Sequence, residues 1–169
     1  AQKITGNPDP FKPWKKASNE IALKIIPVLE QECKKKPIKE AFRLAALGAI
    51  CGNTIDFEVE GHSFSMDELE ASLLCCLRED LTADDTPKIM KALSKSRKVL
   101  YLLDNAGEIA FDKFFIKSMT ESFPIKVWAV VKSGPILNDA TMEDAKQVKL
   151  GEVAEVITTG NDYIGLELE

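Results

Sequence analysis

Two acid–amide pairs, Asp104-Asn105 and Asn138-Asp139, carry the densest potential chemistry in this chain. The first follows the apolar run Val99–Leu103 directly, and the second follows Val127–Val131 after a short loop. Carboxylate and amide oxygens are hard donors that suit Mg²⁺ or Mn²⁺ better than a thiolate-loving metal. Lys132, at the end of the second run, adds a compact cation of the kind that holds a phosphate. Gly107 opens a helical pattern and lets the backbone approach an anion closely. Together these residues suit a phosphate ester held by a divalent metal, which polarises a phosphoryl oxygen and helps activate water. Plainer readings stand beside this one. Asp104-Asn105 also suits an N-cap and turn, Asn138-Asp139 a cap for the next short helix, and Gly134-Pro135 an ordinary turn.

These residues need a scaffold that brings loops together. The runs Val99–Leu103, Val127–Val131 and Val156–Thr159 are short, unbroken and apolar, and helical patterns at Gly107–Ser122 and Met142–Val148 separate them. Strand–helix–strand–helix–strand with unbroken apolar strands predicts a parallel sheet with helices on both faces. In such sheets ligands bind beyond the carboxyl ends of the strands. That rule gathers Asp104, Asn105, Gly107 and Glu108 after the first strand, and Lys132, Ser133, Asn138 and Asp139 after the second. Thr158 to Asp162 follow the third.

Residues 1–96 read as a helical domain, and residues 97–169 as a Rossmann-like parallel-sheet α/β domain that ends early. Apolar spacing predicts a helix over Lys15–Lys35 with a kink at Pro27. A second runs from Pro37 through Ile50 and is closed by Gly52-Asn53. Ser65-Met66-Asp67-Glu68 is a capping box for a third helix reaching about Glu79, and Thr86 caps a fourth with Pro87 in its first turn. In Gly52–Phe57 the sequence favours a plain helix C-terminus, with Gly52 or Asn53 left-handed. The functional alternative has Asn53 and Asp56 facing the strand ends and touching substrate. The single histidine, His62, lies in the polar connector Thr54–Phe64 without triad partners and reads as a surface residue.

The 169 residues include 22 basic and 27 acidic side chains, a net charge of −5, which argues against a general nucleic-acid binder. No apolar run reaches the roughly 18 residues that span a bilayer, and no signal-peptide pattern is present, so the expected address is the cytoplasm. Cys33, Cys51, Cys75 and Cys76 form no CxxC pair and read as buried, reduced thiols. A dinucleotide fingerprint, a P-loop and a GxSxG elbow are all absent.

The stretches Val99–Asp112 and Val131–Ala145 strongly resemble the signatures of the DUF89 family, the damage-control phosphatases. Gly52–Phe57 and Asn7-Pro8-Asp9-Pro10-Phe11 also look like that family, and its stand-alone archaeal and bacterial branch is most similar. The resemblance implies a helical domain joined to a Rossmann-like domain, and a metal-dependent phosphatase acting on small phosphorylated metabolites with Mn²⁺, Co²⁺, Ni²⁺ or Mg²⁺. It implies Asp104, Asn105 and Asp139 as metal ligands and catalytic residues. Lys132, Asn138, Gly107 and Glu108 would meet substrate, and Asn53 and Asp56 would close the site from the helical side. Other branches carry the acid of Glu108 one residue later, where this chain has Ile109. Family members begin with a further helical segment bearing a cysteine motif, and continue into more strand–helix structure with a lysine-glycine-asparagine motif. The chain therefore reads as an internal fragment. The alternative function is a binding module that holds a phosphorylated metabolite through the same metal without turnover. Methyl transfer to protein carboxylates, attached to relatives, ranks last because no Gly-rich adenosyl-methionine loop is present.

Overall fold

The computed structural model describes residues 6–54, 65–79 and 81–161. Four helices come first: α1 (Lys12–Lys34), α2 (Ile38–Thr54), α3 (Met66–Cys76) and α4 (Thr86–Leu93). Then follow β1 (Lys98–Leu102), α5 (Glu108–Ser122), β2 (Lys126–Val131), α6 (Met142–Gln147), a 3-10 turn (Leu150–Glu152) and β3 (Glu155–Thr158). The strands are parallel in the order β1-β2-β3, with Tyr101 beside Ala129 and Ala129 beside Val156.

Helix α1 starts earlier than its apolar spacing predicts, because Pro13 fits the first turn, where an N–H has no helical partner. Its inward stripe is Lys15, Ser18, Asn19, Ala22, Ile25, Leu29 and Cys33. The helix continues through Pro27, which lies on its exposed side. At α3 the capping box forms as expected: Ser65 Oγ accepts from the Glu68 amide at 3.2 Å, and Glu68 Oε2 accepts from the Ser65 amide at 2.7 Å. At α4 the cap position belongs to Asp85 rather than Thr86, and Asp84 Oδ1 accepts both the Thr86 amide (2.9 Å) and hydroxyl (2.5 Å).

Gly52 and Asn53 do not close α2; the helix runs through both to Thr54. Gly52 is there for proximity rather than for a left-handed turn. A Cβ on it would lie 2.7 Å from Phe111 Cδ2 and 2.9 Å from Cγ, inside the ring's contact distance. This closeness lets α2 seat against α5, whose Ile109, Phe111 and Ile116 are fully buried. Phe42 of α2 meets Phe115 edge to face at 5.3 Å, and Phe115 in turn meets Tyr101 of β1 at 6.4 Å. The core thus runs unbroken from the helical half through α5 to Val127, Ala129 and Val131 of β2.

Only one face of the sheet joins that core. Val99, Tyr101, Val127, Ala129, Val131 and Val156 belong to it, whereas Leu100, Leu102, Trp128 and Ile157 lie outside it. Leu100 is 64% exposed and Leu102 53%. The expectation of helices on both faces is corrected for the described residues. Successive right-handed crossovers that step in one direction across a sheet lay their helices on the same side.

The cysteines also depart from expectation. Cys51 in the last turn of α2 and Cys76 at the end of α3 lie with Cα atoms 5.9 Å apart and form a disulfide. Cys75 is exposed, and only Cys33 is a buried free thiol, its pKa pushed up to about 11 by burial. Adjacent helical residues point about 100° apart, so a vicinal pair cannot both face the core. The disulfide removes cysteine usage as an argument for a reducing compartment. No described helix is long and apolar enough to cross a membrane.

Gly52→Ala should destabilise the protein by a net ~1–2 kcal/mol in urea unfolding, because the clash with Phe111 outweighs the better helix propensity of alanine. Under non-reducing denaturing conditions a maleimide should label two cysteines, Cys33 and Cys75, and label all four after reduction. Four labels without reductant would show the disulfide to be absent.

Candidate active site

The carboxyl ends of β1 and β2 diverge, and residues 138–141 fill the gap between them. Leu103 N–H donates to Val130 O (3.0 Å), the last direct bond between the two strands' extensions. Beyond it Ala140 takes over on both sides: its N–H donates to Asp104 O (2.7 Å), and its carbonyl accepts from Lys132 N–H (2.9 Å). Ala106 N–H donates to Asn138 O at 2.9 Å. Asn105 is thereby bridged to Asp139 and Lys132 to Thr141. The two acid–amide pairs, far apart in sequence, are laced side by side through main-chain bonds.

Side chains complete the cluster. Lys132 Nζ lies 3.6 Å from Asp139 Oδ2, and both side chains are largely buried. Asp104 is exposed, while Asn105, Glu108 and Asn138 are half-buried. Glu108 Oε2 accepts from the Asn105 amide (3.4 Å) and from its Nδ2 (3.3 Å). Burial raises the Asp139 carboxyl above its ordinary range and Asp104 adds to this, while Lys132 and Lys15 oppose it. Burial and the Asp104 charge likewise raise Glu108, against the hydrogen bonds from Asn105. The third strand end joins through Thr159, whose N–H donates to Val131 O (3.0 Å) and whose hydroxyl accepts from the Ser133 N–H at 3.4 Å.

Gly107 departs from its expected role. It has φ 84°, which glycine adopts without steric cost, but its N–H donates to Asn19 Oδ1 at 2.7 Å. That donor is committed inside the protein and not turned to an anion. Asn53 is exposed in the last turn of α2, and Asp56, His62 and Asp162 lie outside the described residues.

The whole chain, residues 1–169, matches the family model described as the damage-control phosphatase ARMT1-like domain. The chain belongs to that family. A protein named damage-control phosphatase from Pyrococcus horikoshii is 36% identical over 167 residues, covering 99% of this chain and 55% of the relative. Another of that name from Archaeoglobus fulgidus is 36% identical over 168 residues, covering 99% and 57%. An uncharacterized protein of Methanocaldococcus jannaschii is 38% identical over 170 residues, covering 99% and 55%. The crystal structure of a DUF89 family protein from Pyrococcus horikoshii superposes with a TM-score of 0.86 at 36% identity, covering 98% of this chain and 55% of that one. The chain spans about half the length of these relatives.

A divalent metal, which the family resemblance implies, would draw on the hard oxygens of Asp104, Asn105 and Asp139. Among the described residues no three His, Cys, Asp or Glu side chains cluster to hold a metal, and the expected set is two carboxylates with an amide. Its fit rests on charge: Asp104 and Asp139 repel one another across the joined loops, and a cation between them would relieve that repulsion.

Sequence reasoning missed the buried polar residues behind the cluster. Lys15 and Asn19 sit on the inward stripe of α1 at 4% and 0% exposure, and Asp144 on α6 at 3%. Their signal was present, because the stripe Ala22–Ile25–Leu29 extends backward onto a lysine and an asparagine. On α5, one turn beyond Glu108, buried Asp112 accepts a hydrogen bond from the Tyr101 hydroxyl at 2.5 Å. Burial pushes the Asp112 carboxyl up to about 7 from a usual 3.8; Glu108 and Asp104 add to this and Tyr101 opposes it.

A carboxyl raised in the folded state binds its proton there and releases it in the unfolded chain. Stability should therefore fall as pH rises from about 4 to about 7 and level off above that. Asp112→Asn should flatten this decline and be the more stable form at pH 8. Urea unfolding at pH 5 and pH 8 checks it, and a variant with the slope unchanged would contradict it.

Proposed function

We propose that this protein is a metal-dependent phosphatase that hydrolyses phosphomonoesters of small metabolites. The observation that carries the reading is the lacing of Asp104-Asn105 to Asn138-Asp139, with Lys132 held against Asp139. The printed names of two relatives, damage-control phosphatase, support the reaction class. Asp104, Asn105 and Asp139 would hold the divalent cation, whether Mn²⁺, Co²⁺, Ni²⁺ or Mg²⁺. A cation there supplies Lewis acidity to a phosphoryl oxygen and to water.

This chain's own side chains do the remainder. Lys132 offers its ammonium to a phosphate oxygen while Asp139 fixes its position, and Asn138 offers an amide beside it. Glu108, its pKa raised and its carboxyl held by Asn105, borders the Asp104 side of the substrate. Water adds to phosphorus, the P–O bond to the metabolite breaks, and the alcohol leaves with a proton. Asn53 and Asp56 would approach from the helical side. A cytoplasmic location accords with soluble phosphorylated substrates.

The test is phosphate release from p-nitrophenyl phosphate and a sugar-phosphate panel, with the metal varied. Asp104→Ala and Asp139→Ala should each lower the metal-dependent rate by about 100-fold or more while circular dichroism stays unchanged. Undiminished rates in both variants would sink the proposal. Metal-dependent ligand binding without phosphate release would favour a binding module instead.

A further inference from the structure

We infer that Lys15, Asn19 and Asp144 form a positioning brace which sets the separation of the two acid–amide loops and, with it, the affinity for a divalent metal. The inference rests on the metal-dependent reading above. Asn19 is fully buried and its side chain makes three hydrogen bonds. Its Oδ1 accepts the Gly107 N–H at 2.7 Å, and its Nδ2 donates to Asp144 Oδ1 and to Gln147 Oε1, both at 2.9 Å. Gly107 stands three residues after Asp104. Asp144 Oδ2 accepts the Thr141 N–H (2.8 Å) and hydroxyl (2.7 Å), and Thr141 stands two residues after Asp139. Lys15 Nζ lies 3.6 Å from that same Asp144 oxygen and 3.1 Å from Asp9 Oδ2. One helix thus grips the segment following each acid–amide pair from behind.

The chemistry at position 19 is narrowly specified. Gly107 requires an acceptor and Asp144 a donor, which an amide supplies from one planar group. An aliphatic side chain leaves a buried N–H and a buried carboxylate short of partners, and a carboxylate faces Asp144 with like charge. Either change loosens Gly107 or Asp144 without touching a candidate ligand. Metal donors tolerate displacements of only about 0.5 Å, so slack in the brace should be read as lost affinity.

The experiment titrates Mn²⁺ alone by calorimetry into the wild-type protein and into Asn19→Leu, Asn19→Asp and Gln147→Leu, well below each melting temperature. Asn19→Leu is expected to weaken Mn²⁺ binding about tenfold or more with its circular dichroism intact. Asn19→Asp, which keeps the acceptor toward Gly107, should lose less. Gln147→Leu removes a bond to the same Nδ2 but grips neither loop, so its affinity should match wild type. If Asn19→Leu does not fold, Asn19→Asp decides. Wild-type Mn²⁺ affinity in a folded Asn19 variant overturns the brace, as does an equal loss in Gln147→Leu. A wild-type protein that binds no Mn²⁺ overturns the metal reading and the brace with it.

Discussion

The arrangement of the site depends on Ala140 bonding in two directions at once. Its N–H reaches Asp104 and its carbonyl reaches Lys132, so residues 138–141 serve as a wedge of strand between the parting ends of β1 and β2. A parallel sheet twists, and its carboxyl ends would otherwise separate and leave main-chain groups without partners. Filling that gap satisfies the backbone and, by the same bonds, sets an asparagine and an aspartate beside another such pair. The residue in the wedge is small and almost fully buried, as a chain segment squeezed between two strands requires.

Electrostatics follow from that lacing. Asp104, Glu108, Asp112 and Asp139 gather around two loop ends, and burial raises the last three toward the neutral form. At Asp139 two lysines oppose this, Lys132 from the end of β2 and Lys15 from α1. Carboxylates concentrated this way cost stability, an arrangement that suits a site for cations. Tyr101, its phenol held protonated by burial, donates to Asp112 and so ties the sheet to this cluster.

Much of this was legible in the residues. The three apolar runs became parallel strands, and the capping box at Ser65 formed with both of its bonds. The two acid–amide pairs were legible because strand ends collect loops whatever the sequence between them. Contacts that depend on a distant partner were not legible. Gly52 looked like a helix stop because nothing local announces Phe111, 59 residues on, against its backbone. Cys51 and Cys76 gave no pairing signal because α2 and α3 must pack before their sulfurs meet. Asn19 is the clearest case. Polar residues at inward helical positions are recognisable as a pattern, but what they hold becomes visible only in three dimensions.

The span of the Asn19 contacts bears on how the chain folds as it is made. Asn19 and Asp144 are 125 residues apart, so at about 5–20 residues per second the helix emerges roughly 6–25 s before its partner. Through that interval Asn19 lacks its partners Asp144 and Gln147, while Lys15 has Asp9 alone of its two carboxylates. Contacts of such long sequence separation also slow folding, since chain entropy is lost well before they form. The polar end of the inward stripe of α1 is thus completed only after the loops it will hold have left the ribosome.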